Sequence, residues 1–165
     1  MAEAFRLSGL DGVLDTLRSL PPEVVSKRGG PVKSALRKAA VVIYKQADAN
    51  LARVTANQIS EGERQSTGLL QKNLVVTRGK APSSGKGERY LVRVRRKGYE
   101  REGESVSTLK TGQILEYGSE KQPAEPWLRP AFASKAEQAI KTAEAELVNG
   151  IDRIVKKLAA ANKGK

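Results

Sequence analysis

The chain has 165 residues, with 30 Lys and Arg against 18 Asp and Glu, a formal charge of +12, and neither cysteine nor histidine. The composition excludes disulfides and thiolate metal sites, and it removes the commonest metal ligand and general base. The length suits one domain spanning residues 1–165, and with only 4% aromatic residues its core must be largely Leu, Val, Ile and Ala.

In chain order, "LSGLDGVLDTLRSLPP" places Leu7, Leu10, Leu14 and Leu17 on one face of a short helix. Ser8 and Asp11 are spaced as a capping box, and Pro21 and Pro22 stop the helix. A longer helix follows from Pro31, which suits a first helical turn. Its apolar stripe runs through Val32, Leu36, Ala39, Ile43, Ala47, Leu51 and Val54. The period then falls to two. "LLQKNLVVTRG" and "ERYLVRVRRKG" read as strands, the second setting Tyr90, Val92 and Val94 against Leu91, Arg93 and Arg95. Polar segments at about 78–89 and 97–110 are expected as flexible loops, and "QILEYG" as a third strand. From Trp127 the helical period returns. Leu128, Phe132, Ile140, Ala143, Leu147, Ile151, Ile154 and Leu158 mark one side of a long helix that frays at its end, with Gly150 inside it. The expected fold is α+β: a short N-terminal helix, a long helix, a three-stranded antiparallel sheet, and a long C-terminal helix packed on one face of the sheet.

Candidate chemistry is sparse. Glu100, Glu102 and Glu104 alternate but flank Arg101, which favours a solvated loop over a cation site. Gly79-Lys80 and Gly85-Lys86 lack the Walker spacing. No catalytic, metal or cofactor residue is assigned, and the chain is expected not to be an enzyme. The basic segment is the better lead. Arg78, Lys80, Lys86, Arg89, Arg93, Arg95, Arg96 and Lys97 fall within twenty residues and suit DNA or an acidic partner. No aromatic stacking pattern accompanies them. No apolar run approaches the roughly 18 residues of a membrane span, and "MAEAFRLSGL" lacks the apolar run of a signal peptide. The expectation is a soluble chain made in the cytoplasm, without membrane contact.

In "ILEYGSEKQPAEPWLRPAF" an apolar run ends at Gly118, a turn follows, and Pro123 and Pro126 stiffen the approach to a helix. Trp127, Leu128 and Phe132 are placed to anchor that helix start. Glu116, Tyr117, Gly118, Pro126, Trp127, Leu128, Arg129, Pro130 and Ala131 resemble a motif of the tail-completion or neck proteins of long-tailed phages, the gene product ten-like tail components of lambdoid phages. Thr67, Gly68 and Leu70, opening the first strand, match a second family element. Gln71 and Asn73 stand where that family carries Arg and Ser, and the proline that precedes Thr-Gly is absent. The resemblance implies a non-enzymatic virion protein at the head–tail junction, made in the host cytoplasm. It implies a ring, expected as a hexamer, between the head-completion or connector protein and the tail terminator or tail tube. Genomic DNA would pass through without sequence-specific recognition. The alternative is a small basic nucleic-acid-binding protein.

Overall fold

The computed structural model describes residues 30–60, 67–80, 88–101 and 103–162. The expected N-terminal helix with its leucines, together with Gly85, Lys86 and Glu102, lies outside the described residues. The elements in order are α1 (Gly30–Ser60), α2 (Leu69–Lys72), β1 (Leu74–Arg78), β2 (Tyr90–Val94), β3 (Gly98–Arg101), β4 (Glu104–Ser107), α3 (Thr108–Tyr117) and α4 (Leu128–Asn162).

The two long helices form the frame. α1 has 31 residues and α4 has 35, so each is about 50 Å long. They run antiparallel. Asn50 of α1 bonds to the carbonyl of Trp127, Lys38 pairs with Glu146, and Pro31 meets Gly150. Near the start of α4, one apolar cluster gathers Ala47, Leu51 and Val54 of α1 with Leu74 of β1, Leu115 of α3, and Trp127 and Ala131 at the start of α4. At the other end a smaller cluster joins Ala35, Leu147 and Ile151, with Val32 against it. Many of these residues are alanines, so a core poor in aromatics is built by close helix approach rather than by bulk. The buried face of α1 therefore follows Ala35, Ala40, Ala47, Leu51 and Val54, while Leu36, Ala39 and Ile43 of the expected stripe are half-buried.

β1 and β2 pair antiparallel, Leu74 opposite Val94 through Arg78 opposite Tyr90. Leu74, Val92 and Val94 face the core and Arg93 faces out, as the alternation of the sequence predicts.

The three-stranded sheet is not found, and the long C-terminal helix packs along α1, which itself covers β1 and β2, rather than on one face of a sheet. "QILEYG" belongs to helix α3, and the expected loop at 97–110 contains a second antiparallel hairpin, β3–β4, with Gly98 opposite Ser107. The architecture is two separate two-stranded sheets. The physical reason lies at Ser107 and Thr108. Ser107 is an extended N-cap residue whose hydroxyl accepts from the N–H of Lys110. Thr108, fully buried, receives the N–H of Lys97 on its hydroxyl oxygen at 2.9 Å and donates to the carbonyl of Arg95 at 2.6 Å. This ties the exit of β2 to the start of α3, and the chain between them closes as a hairpin. Tyr99 adds a 2.6 Å bond to Thr111. Thr67-Gly68 does not open a strand either. Gly68, at φ 66°, starts the single turn α2, and the strand begins at Leu74.

Gly150 continues α4 without interruption because Pro31 occupies its missing side chain's place. An added Cβ would lie 2.8 Å from the Pro31 Cβ. Gly to Ala in an exposed helix interior stabilises by about 1 kcal/mol. Here the clash removes that gain, and Gly150→Ala is expected to destabilise by about 1 kcal/mol in urea denaturation. A stabilised variant would mean that the helices do not meet at this point.

Candidate functional site

The segment from Gly112 to Ala131 forms a bonded clamp centred on Glu116. The Glu116 carboxylate is 4% exposed. Its Oε2 accepts the backbone N–H groups of Trp127 at 2.9 Å and Leu128 at 2.8 Å. Its Oε1 accepts the backbone N–H of Arg129 at 3.0 Å and the guanidinium Nε at 2.8 Å. A helix start leaves its first N–H groups without intrahelical partners. In α4 three of these donors end on one carboxylate, and the next residue, Pro130, has no N–H to satisfy. The negative charge also lies at the positive end of the helix dipole.

The C-terminal end of α3 is satisfied by the same segment. The carbonyl of Ile114 accepts from Gly118 N, that of Leu115 from Glu125 N, and that of Glu116 from the Arg129 guanidinium at 2.9 Å. Arg129 therefore joins two helix ends, and its guanidinium lies 4.8 Å from the centroid of the Tyr117 ring. Gly118 has φ 79°, and a Cβ there would meet the Ala124 nitrogen at 3.0 Å. Both the backbone angle and the space require glycine. Trp127 is 2% exposed, and its indole N–H reaches the Gly112 carbonyl at 3.3 Å. A Cβ at Gly112 would stand 3.6 Å from the indole ring, an ordinary contact, but 3.3 Å from Leu70, so the glycine chiefly makes room for Leu70. Asn50 bonds the Trp127 carbonyl at 3.0 Å and accepts from Gln46.

Burial alone would raise the Glu116 pKa. The N–H groups of Leu128 and Trp127 and then the Arg129 side chain lower it by more, so the carboxyl titrates below its ordinary range.

The motif residues Glu116, Tyr117, Gly118, Trp127, Leu128 and Arg129 are thus brought together, with Pro126 and Pro130 framing the helix entry. Phe132 does not join the expected anchor: it is 48% exposed. Thr67, Gly68 and Leu70 lie around α2. Leu70 reaches the clamp through Gly112, and the Thr67 hydroxyl accepts from Leu69 N at 3.4 Å. Asn50, Gln46 and Thr108 are essential partners that sequence reading passed over. Mid-helix or loop polar residues give no hydropathy signal for burial.

The basic segment divides. Glu88 takes Arg78 in a two-pronged pair at 2.7 Å, with Lys33 at 3.8 Å. The hydrogen bond to Arg78 leads the causes that lower the Glu88 pKa. Arg93 bonds the Thr77 hydroxyl at 3.1 Å. Lys80, Arg89, Arg95, Arg96 and Lys97 are exposed. Glu100 and Glu104 are exposed at the β3–β4 hairpin. Among the described residues no group of three or more His, Cys, Asp or Glu could hold a metal ion, and no helix is long and apolar enough to cross a membrane. Comparisons with models of known families, with curated proteins and with solved structures find no match for the chain.

Two outcomes test the clamp. Trp127→Ala is expected to cost about 3–5 kcal/mol in chemical denaturation, and a loss near half a kcal/mol would remove the indole from the core. Glu116→Gln is expected to cost about 2 kcal/mol at pH 7. The folded pKa lies below the unfolded value of about 4.3, so the stabilisation is full above that value and is lost as pH falls through the folded pKa. The gap between wild type and Glu116→Gln should therefore narrow as pH falls below about 4.3. A gap that stays constant to about pH 3 would show that the charge of Glu116 does not contribute.

Proposed function

We propose that the chain is a structural protein of a phage neck, a tail-completion protein that forms a ring between the head–tail connector and the tail and enables head–tail joining. The observation that carries the reading is the clamp. Five of the residues that resemble the neck-protein motif, Glu116, Tyr117, Trp127, Leu128 and Arg129, are linked through one carboxylate and one guanidinium, and the Trp127 indole ties them to Gly112. A motif of this kind sets the angle between elements rather than reacting with a substrate. Its reappearance in another chain therefore argues for a shared scaffold, and the function follows from that scaffold by resemblance. The described elements also match part of the expected order, with a long helix, short antiparallel strands and a long terminal helix.

In this reading subunits close a ring through heterologous contacts, with one surface of each subunit against a different surface of the next. The partners are further copies of the chain, a head-completion or connector protein, and the tail terminator or tail tube. Genomic DNA passes the ring without sequence-specific recognition. A hexamer is the expected stoichiometry.

A second reading, a small basic nucleic-acid-binding protein, draws on the exposed run Arg95, Arg96 and Lys97, which carries no ion pair among the described residues. Salt titration separates the two. Sequence-preferring DNA binding with a steep salt slope favours the second.

The expected outcome for the first reading is a monomer or weak oligomer in isolation and a closed ring on addition to tails or terminator rings, read by sedimentation and electron microscopy. Particles assembled without the chain should leave filled heads and unjoined tails, and adding the purified protein should restore joining. Normal infectious particles in its absence would overturn the assignment.

A further inference from the structure

The outer edge of β1 is open. Gly79 N bonds to Arg89 O, and Arg95 N bonds to Asn73 O. With Leu74 opposite Val94, these bonds make residues 73, 75, 77 and 79 the hydrogen-bonded partners of 95, 93, 91 and 89. The backbone N–H and C=O groups of Leu74, Val76 and Arg78 therefore turn away from β2. Among the described residues no third strand meets them, since the sheet has two strands.

Beside this edge lies a shallow groove between β1 and α1. Its apolar lining comes from Val41, Tyr44, Val75 and Val76, and Arg37, Lys45 and Arg95 stand around it. All three cations are exposed, and none has an ion-pair partner among the described residues. An unpaired strand edge over an apolar floor is the geometry that receives an extended segment as an added strand.

We infer that β1 is a docking edge for an extended, acidic segment of a partner protein, which adds as a third strand and sets alternate carboxylates against Arg37, Lys45 and Arg95. Charge selects the occupant. A second copy would most simply offer the free edge of β2, and that strand carries Arg93 next to Arg95, so the approach brings cations to cations. A nucleic acid would satisfy the cations, and its phosphates could take single edge N–H groups, but it has no backbone donors spaced to meet the edge carbonyls and so cannot continue the ladder. The inference does not depend on the neck assignment.

The probe is a fluorescein-labelled dodecapeptide of alternating threonine and glutamate, read by anisotropy on the full chain, with amide hydrogen exchange on the same complex. The expected result is binding that weakens at least about tenfold in the double variant Arg37→Glu, Lys45→Glu, both exposed positions that should leave the fold intact. Protection should rise at the amides of Leu74, Val76 and Arg78. Val76→Pro, which removes an outward N–H at an edge, should abolish binding with the far-ultraviolet circular dichroism unchanged. If Val76→Pro unfolds, the double variant and the exchange pattern decide alone. Four results would each overturn the inference: no binding, binding undiminished in the double variant, protection confined to other strands, or protection of these amides by self-association without peptide. An oligothymidylate that competes fully and leaves the edge amides unprotected would overturn it in favour of a nucleic-acid groove.

Discussion

The Glu116 carboxylate is the point on which the arrangement of α3, α4 and the core depends. A carboxylate this deeply buried is costly unless nearly all its lone pairs are used. Here two oxygens accept four hydrogen bonds, three from the backbone N–H groups of Trp127, Leu128 and Arg129 at the entry to α4 and one from the Arg129 guanidinium. The same guanidinium bonds the Glu116 carbonyl in the last turn of α3. The end of one helix and the start of the next thus share one charge pair. Shifting α4 by a residue would leave several buried polar groups unpaired at once. Such a pair contributes less to net stability than to the choice of one geometry. The part of Arg129 that reaches solvent, over the exposed ring of Tyr117, adds little to that choice.

Trp127 carries the geometry into the core. With its backbone N–H on Glu116, its carbonyl on Asn50 and its indole N–H on Gly112, the residue is held from α3 and α1 together. The space around it is made by small residues. Gly112, Ala47 and Ala131 let three helices close on a single aromatic ring. A chain with so few aromatics can therefore have one well-defined centre, with close approach rather than side-chain volume supplying the dispersion contacts.

The long helices, the first two strands and the inward face of β2 were legible in the sequence, because each repeats an apolar period over several turns or pleats; of the stripe expected on α1, Ala47, Leu51 and Val54 are buried and the rest only half-buried. Helix α3, which takes in most of the expected strand at 113–118, was not legible. Its buried positions are Thr108, Gly112, Leu115 and Glu116, a helical spacing, but two of the four are polar and one has no side chain. Of the apolar residues of its apparent strand, Leu115 is buried, but Ile114 is only half-buried and Tyr117 is 67% exposed. A pattern search that weights hydropathy finds the wrong face. The hairpin β3–β4 was hidden for a related reason: its strands are polar, and what holds it is the buried hydroxyl of Thr108. The motif residues were all visible, but that Glu116 is the centre of their bonding required the structure. Phe132 misled because an aromatic at helical spacing is more often buried than exposed.

A two-stranded ribbon is marginal alone. β1–β2 persists because its inner face is fixed to α1 and to Trp127, and β3–β4 persists because Thr108 and Tyr99 bind it to α3 and to the exit of β2. Among the described residues both sheets therefore keep open edges, and Arg and Lys stand around the first. Positive charge along an open edge discourages pairing between like copies, which is how natural sheets avoid aggregation. The same charge leaves the edge available to a segment of opposite sign. Among the described residues the acid that engages the strands of this first sheet is Glu88, which occupies Arg78 at the far end from Arg95 and so leaves the groove end of the sheet positively charged. Rigidity at Glu116 and openness at β1 are thus complementary: a clamp that fixes the core allows the sheet to remain small, and a small sheet presents more edge than it can pair within itself.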